Sequence, residues 1–257
     1  MSGALPRLAI DADGVATITL ARPAHLNRLH REDLLTLQDH FARLHADVNA
    51  RVLVLTGEGR VFCAGFHLGQ LGEPGDAAGS DPQLFERTVD ALEALPLPTV
   101  ARLNGSVYGG ATDLALACDF RIGIDGMELR MPAAHLGLHY YPSGLRRYVT
   151  RLGLGAAKRL FLLAETVPAE DLLAIGYLDR CVDAATLDDA VRHVADALAA
   201  GAPLAVRGMK ASLDEIAGSR DDLATLRARE AQCAASDDLR EGLRAFAERR
   251  APRFSGR

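Results

Sequence analysis

Apolar and polar positions change period several times along this chain, and each change marks an element. Ala16, Ile18 and Leu20 alternate with Thr17 and Thr19, the period of a half-buried strand, and Asp11-Ala-Asp-Gly14 supplies a turn back to a partner strand at residues 8–10. Leu34, Leu37, Phe41, Leu44 and Val48 recur at helical spacing after Arg31-Glu-Asp. The run Val52-Leu-Val-Leu-Thr56 is apolar at nearly every step, the signature of a strand covered on both faces. Residues 72–81, rich in glycine, acidic residues and proline, read as a mobile loop. Residues 84–95 predict a helix stopped by Pro96, and residues 98–103 a short strand. From residue 187 the pattern turns helical: Leu187, Ala190, Val191, Val194 and Leu198 share one face, and residues 203–215 and 222–248 continue as amphipathic helices. Strand and helix signals alternate before that point, which predicts α/β packing with crossover connections in a core over residues 1–200, then a helical region over 201–257.

Composition narrows the function classes. The chain has 257 residues, 49% of them apolar and 25% charged, as in an ordinary globular protein able to bury a good core. A formal net charge of −5 disfavours a nucleic-acid surface, which needs a basic patch. Cys63, Cys118, Cys181 and Cys233 are far apart with no metal or redox spacing, so they read as free thiols and no metal site is expected. No stretch approaches the ~20 apolar residues of a membrane span, and the N-terminus lacks a signal-peptide pattern, so the expected location is the cytoplasm.

Two glycine loops carry the candidate chemistry. In Asn104-Gly-Ser-Val-Tyr-Gly-Gly-Ala-Thr-Asp-Leu-Ala-Leu-Ala-Cys-Asp119 the preceding strand meets a glycine pair and a small-residue helix begins at once. Such a turn leaves backbone N–H groups bare at the positive end of a helix, where an oxyanion can sit. Arg51-Val-Leu-Val-Leu-Thr-Gly-Glu-Gly-Arg-Val-Phe-Cys-Ala-Gly-Phe66 repeats the arrangement, so two N–H donors are expected to converge on one carbonyl oxygen.

These segments resemble the enoyl-CoA hydratase/isomerase (crotonase) superfamily, and the resemblance spans nearly the whole chain. It includes Arg22-Pro23 with Asn27 and Leu29, Phe62-Cys-Ala-Gly65, Asn104-Gly105 with Gly109-Gly110, Pro132 with Leu136-Gly-Leu138, and the closing Glu241–Phe254 run. The resemblance implies a spiral of ββα units, a helical tail joining subunits into a homotrimer or a pair of trimers, a coenzyme A thioester as substrate, and no further cofactor. It puts the oxyanion donors at Phe66 and Gly110, with Gly65 and Gly109 beside them. Backbone near Arg28 and Ala64 is expected to meet pantetheine and adenine, with His67 and Leu68 nearby. Arg22, Arg28, Lys210, Arg249 and Arg250 are the basic candidates for the phosphates.

The chain departs from the family's pattern at the acid/base positions. Hydratases of the superfamily use two glutamates; here the first position is Asp113 and the second is Ala133. Asp113 is one methylene shorter and lies in a first helical turn, where the dipole is expected to favour its anion and weaken it as a base. The segment His135-Leu-Gly-Leu-His-Tyr-Tyr-Pro-Ser-Gly144 replaces the common proline-glycine stretch of the acyl pocket and offers His139, Tyr140 and Tyr141. Three readings follow: a lyase or isomerase working through a thioester enolate with Asp113 as the remaining acid/base group; a decarboxylase of a malonyl-type thioester with Tyr140 orienting the carboxylate; or a non-catalytic acyl-CoA binder. The second rests on features that resemble methylmalonyl-CoA decarboxylases, although the histidine expected at the position of Phe66 is absent and His67 is only its neighbour.

Overall fold

The structure, a computed structural model, describes residues 4–67, 69, 81 and 83–257. The predicted hairpin is there: β1 (Arg7–Ile10) runs antiparallel to β2 (Val15–Leu20). Next comes α1 (Arg31–Ala46), started by a capping box in which the Asp33 carboxylate accepts the His30 backbone N–H at 2.8 Å. It buries Leu34, Leu37, Phe41 and Leu44 as expected, but the backbone turns extended at Asp47, and Val48 stands 75% exposed instead of joining the stripe.

The chain then winds in turns of strand, strand and helix. One turn is β3 (Val52–Gly57), β4 (Val61–Cys63) and α2 (Leu84–Glu93). Another is β5 (Thr99–Leu103), β6 (Ser106–Tyr108) and α3 (Ala111–Leu116). After β7 (Phe120–Ile124) and β8 (Glu128–Arg130) the chain passes into α4 (Pro142–Lys158), broken at Gly153 by a φ of +80°. It continues through β9 (Val167–Pro168), α5 (Ala169–Ala174) and β10 (Arg180–Val182). Six strands form one sheet, β1-β2-β3-β5-β7-β10, parallel from β2 onward, and four form a second, β4-β6-β8-β9. The strand β6 is a correction to the sequence reading, which ran from one strand straight into the glycine pair; three residues are too short to show a period.

The main core lies where α1, α2 and α3 pack on the sheets, and a second cluster covers the opposite face of the large sheet. There Val52, Val54, Val100 and Ile122 meet Leu187, Val191 and Ala195 of α6 (Leu187–Ala199). Covering both faces accounts for the unbroken apolar run of β3. The tail is α7 (Pro203–Ala217), α8 (Leu223–Ala235) and α9 (Asp237–Glu248). The continuous segment expected over 222–248 is cut at Ser236, whose backbone is extended and whose Oγ caps α9 by accepting Leu239 N–H at 3.1 Å. Among the described residues no helix is long and apolar enough to cross a membrane.

Candidate active site

Two asparagines, Asn27 buried and Asn104 half-buried, bring the glycine loops together. Asn27, 1% exposed and at φ +54°, accepts Arg22 N–H and donates to the carbonyls of Glu58, Val61 and Phe62 at 2.8, 2.9 and 3.1 Å. Asn104 donates to Gly59 O at 2.8 Å and accepts Gly57 N–H at 3.1 Å, tying the β5–β6 turn to the end of β3. Leu29 and Phe66 then form a parallel bridge: Leu29 N–H donates to Gly65 O and His67 N–H to Leu29 O, both at 2.9 Å.

This pairing turns the Phe66 N–H away from Leu29. Gly65, at φ +85°, packs so tightly on the second loop that a Cβ there would lie 2.7 Å from Tyr108 O and 3.1 Å from Gly110 N. Gly109, at φ +54°, makes the turn into α3, and Gly110 is its N-terminal cap. Among the described residues neither Phe66 N–H nor Gly110 N–H has a backbone acceptor. The two loops thus meet where Gly65 packs against Tyr108 and Gly110.

One helical turn from Gly110, Asp113 is completely buried. Its Oδ2 accepts Arg147 Nη1 at 2.7 Å and also the Tyr141 hydroxyl; its Oδ1 is buried with no partner among the described residues. Arg147, itself 2% exposed, also donates from Nε to Glu93 at 2.8 Å and from Nη2 to Asp90 at 2.8 Å and Glu93 at 3.1 Å. Burial pushes the Asp113 carboxyl above its ordinary value, against the pull of Arg147 and Tyr141. This reverses the expectation that the helix dipole would leave it a weak base. The Glu93 carboxyl, although burial pushes it up, is held below the usual range by Arg147 and Arg151. Tyr140 donates to the Tyr141 hydroxyl oxygen at 3.2 Å, and burial raises both phenols well above their ordinary value.

The remaining candidates sort by where their side chains go. Ala133 is buried and leaves its position without a carboxylate. His139 is exposed and its Nδ1 lies 2.9 Å from Tyr140 O, so it does not join the Asp113 group. His67 stacks on His30 at 4.9 Å, and burial with the charges of Arg28 and His30 lowers its pKa. Arg28 and Ala64 are half-buried; Ala64 N–H is taken by Leu26 O at 2.9 Å, while Arg28 Nε is buried with no partner among the described residues. Leu68 and most of the loop 72–81 lie outside the described residues.

Three basic candidates for phosphate are engaged within the protein. Arg22 is buried against Asp33 at 3.0 Å and Glu32 at 2.9 Å, and Lys210 bonds Asp119 at 2.7 Å and Leu97 O at 3.1 Å. Arg250 pairs with Glu241 and Glu248, both at 2.6 Å. His30, Glu32 and Asp33 are spaced to hold a cation, but the Arg22 guanidinium already bonds both carboxylates.

Sequence reasoning missed Arg147 and Phe85. Arg147 sits on the buried stripe Ser143, Gly144, Arg147, Tyr148 of α4, and a charged residue at an apolar stripe position was the available signal. Phe85, in the first turn of α2, has its ring 5.9 Å from Phe66 and 6.0 Å from Tyr141.

The turns of strand, strand and helix define the class of fold, and comparison with known proteins agrees with it. The enoyl-CoA hydratase/isomerase family model matches residues 11–257, and the chain belongs to that family. Among relatives, YngF of Bacillus subtilis is 35% identical over 94% of this chain and 95% of its own length. A short-chain-enoyl-CoA hydratase of Clostridium acetobutylicum is 28% identical over 92% of both chains. The crystal structure of an enoyl-CoA hydratase from Bacillus anthracis superposes with a TM-score of 0.87 at 29% identity, covering 99% of this chain and 100% of the other.

Proposed function

We propose that the protein processes acyl-CoA thioesters, holding the carbonyl oxygen between Phe66 N–H and Gly110 N–H and moving one proton with Asp113. The observation that carries this reading is Asp113 Oδ1, buried with no partner among the described residues one helical turn from the Gly110 amide, while Arg147 and Tyr141 occupy Oδ2. A fixed amide aimed at a developing enolate oxygen contributes about 3 kcal/mol. Oδ1 takes a proton from carbon as the C–H pair flows into the enolate, and burial makes that carboxylate a better base than a solvated aspartate. With Ala133 in place of a second acid, the same oxygen returns the proton, which favours shifting a double bond over adding water.

Two features weigh against decarboxylation of a malonyl-type thioester. The Tyr140 O–H is already donated to Tyr141, leaving it lone pairs where a substrate carboxylate needs a donor. Asp90, Glu93 and Asp113 also surround Arg147, so a further carboxylate enters a site rich in negative charge. A homotrimer or a pair of trimers is proposed for the assembly. Supporting it, α7 and α9 leave Met209, Leu213, Leu243 and Phe246 exposed by 58, 66, 64 and 86%.

Chromatography with mass detection of 2-enoyl-, 3-enoyl-, malonyl- and methylmalonyl-CoA after incubation tests the reaction. The expected product is the positional isomer at unchanged mass. Gain of water would restore the hydratase reading, loss of carbon dioxide the decarboxylase, and an unchanged panel with thioester still bound would favour a binder.

A further inference from the structure

Phe85 occupies the space that connects the parts of this site. A Cβ on Gly110 would lie 2.6 Å from Phe85 Cζ, so the tip of the ring stands directly over that amide's α-carbon. The same ring is 5.9 Å from Phe66, which carries the other amide, and 6.0 Å from Tyr141, which bonds Asp113. Beyond Tyr141 the aromatic contacts continue without a break. Tyr140 stacks on Tyr141 at 4.2 Å, Phe161 lies 5.1 Å from Tyr140, and Tyr148 lies 4.7 Å from Phe161. An acyl group whose carbonyl reaches Gly110 N–H must share its volume with Phe85 and then meets this wall.

We propose that Phe85 is a specificity-determining residue that restricts the acyl group to short chains. It works by volume: the ring stands over Gly110, and a longer chain must push it off Phe66 and Tyr141. Leu84, before it, and Val89 and Leu92, farther along α2, are buried in the core and hold the helix, so the backbone does not yield in its place. The inference rests on the reading of the ligand as a coenzyme A thioester, not on any particular reaction.

Calorimetric binding of butyryl-CoA and decanoyl-CoA, both saturated, tests this independently of turnover. The wild type is expected to bind butyryl-CoA at least tenfold more tightly, and Phe85→Ala to lower that ratio by roughly tenfold by opening room for several methylenes. Phe85→Leu, which keeps most of the volume and guards against a fold defect in the alanine variant, should fall between them. A ratio within twofold of wild type in both variants, with butyryl-CoA still bound, would overturn the proposal. So would a wild type that prefers decanoyl-CoA or binds neither thioester. Chain-length discrimination that depends on Phe85, in a protein that converts no enoyl thioester, would sink the catalytic reading and leave this one standing.

Discussion

Replacing Arg147 by methionine isolates the electrostatics of the buried acid. The side chain is 1% exposed and its hydrogen bonds to Asp113, Asp90 and Glu93 hold three carboxylates around one guanidinium. Methionine fills much of the volume but removes the charge. Asp90 and Glu93, with side chains 41% and 25% exposed, regain water and contribute little to the loss. Asp113, with a side chain 0% exposed, has no water to turn to, and an uncompensated buried charge costs about 3–5 kcal/mol. The cost has a definite pH dependence. Burial already raises the Asp113 carboxyl above 3.8, and losing Arg147 raises it further, so the folded variant binds a proton more readily than the unfolded chain. Stability lost at neutral pH is therefore recovered as pH falls through the folded value toward 3.8. Urea unfolding of Arg147→Met at mildly alkaline and mildly acidic pH measures this directly. The double variant Arg147→Met/Asp113→Asn should return to within about 1 kcal/mol of wild type. A loss under about 1 kcal/mol that neither varies with pH nor is relieved by Asp113→Asn would refute the reasoning.

Other consequences are separable. Gly110→Ala should cost about 1 kcal/mol by pushing on the Phe85 ring, and lower kcat/KM about a hundredfold by displacing the thioester. Cys63 and Cys118, whose thiols burial pushes up to about 12, should resist alkylation in the native protein while Cys233 reacts. The Arg250 hydrogen bonds and the Arg253 backbone N–H hold Glu241 down to about 2 from 4.5. Docking of residues 249–257 should therefore be intact above pH 4.5 and weaken as pH falls toward about 2, and Glu241→Gln should abolish that dependence in acid hydrogen exchange. Phe246→Asp with Leu213→Asp should shift light-scattering mass toward the monomer without loss of helix signal.

How much of this was legible beforehand depended on the range of the interactions involved. The alternation in β2 and the apolar run of β3 are local consequences of which faces are covered, and both can be read directly. The glycine loops were legible because Gly65 and Gly109 take positive φ values that other residues rarely adopt. The state of Asp113 was not, because α3 has only six residues, all buried, and shows no polar face from which solvation can be judged. Arg147 and Phe85 gain their roles from α4 and α2 crossing α3, contacts between residues 25 or more positions apart, as in the 34 separating Asp113 from Arg147. Arg22 and Lys210 looked like phosphate ligands only because their carboxylate partners, Asp33 and Asp119, are remote in sequence or on another element.

Deuterium entry into an enoyl-CoA substrate in heavy water, followed by mass spectrometry, tests the central claim most directly. The account predicts that the wild type exchanges a carbon-bound hydrogen of the thioester and that Asp113→Asn, though folded and still binding it, loses that exchange by at least a hundredfold. Exchange at the wild-type rate in Asp113→Asn would contradict it and place the base elsewhere.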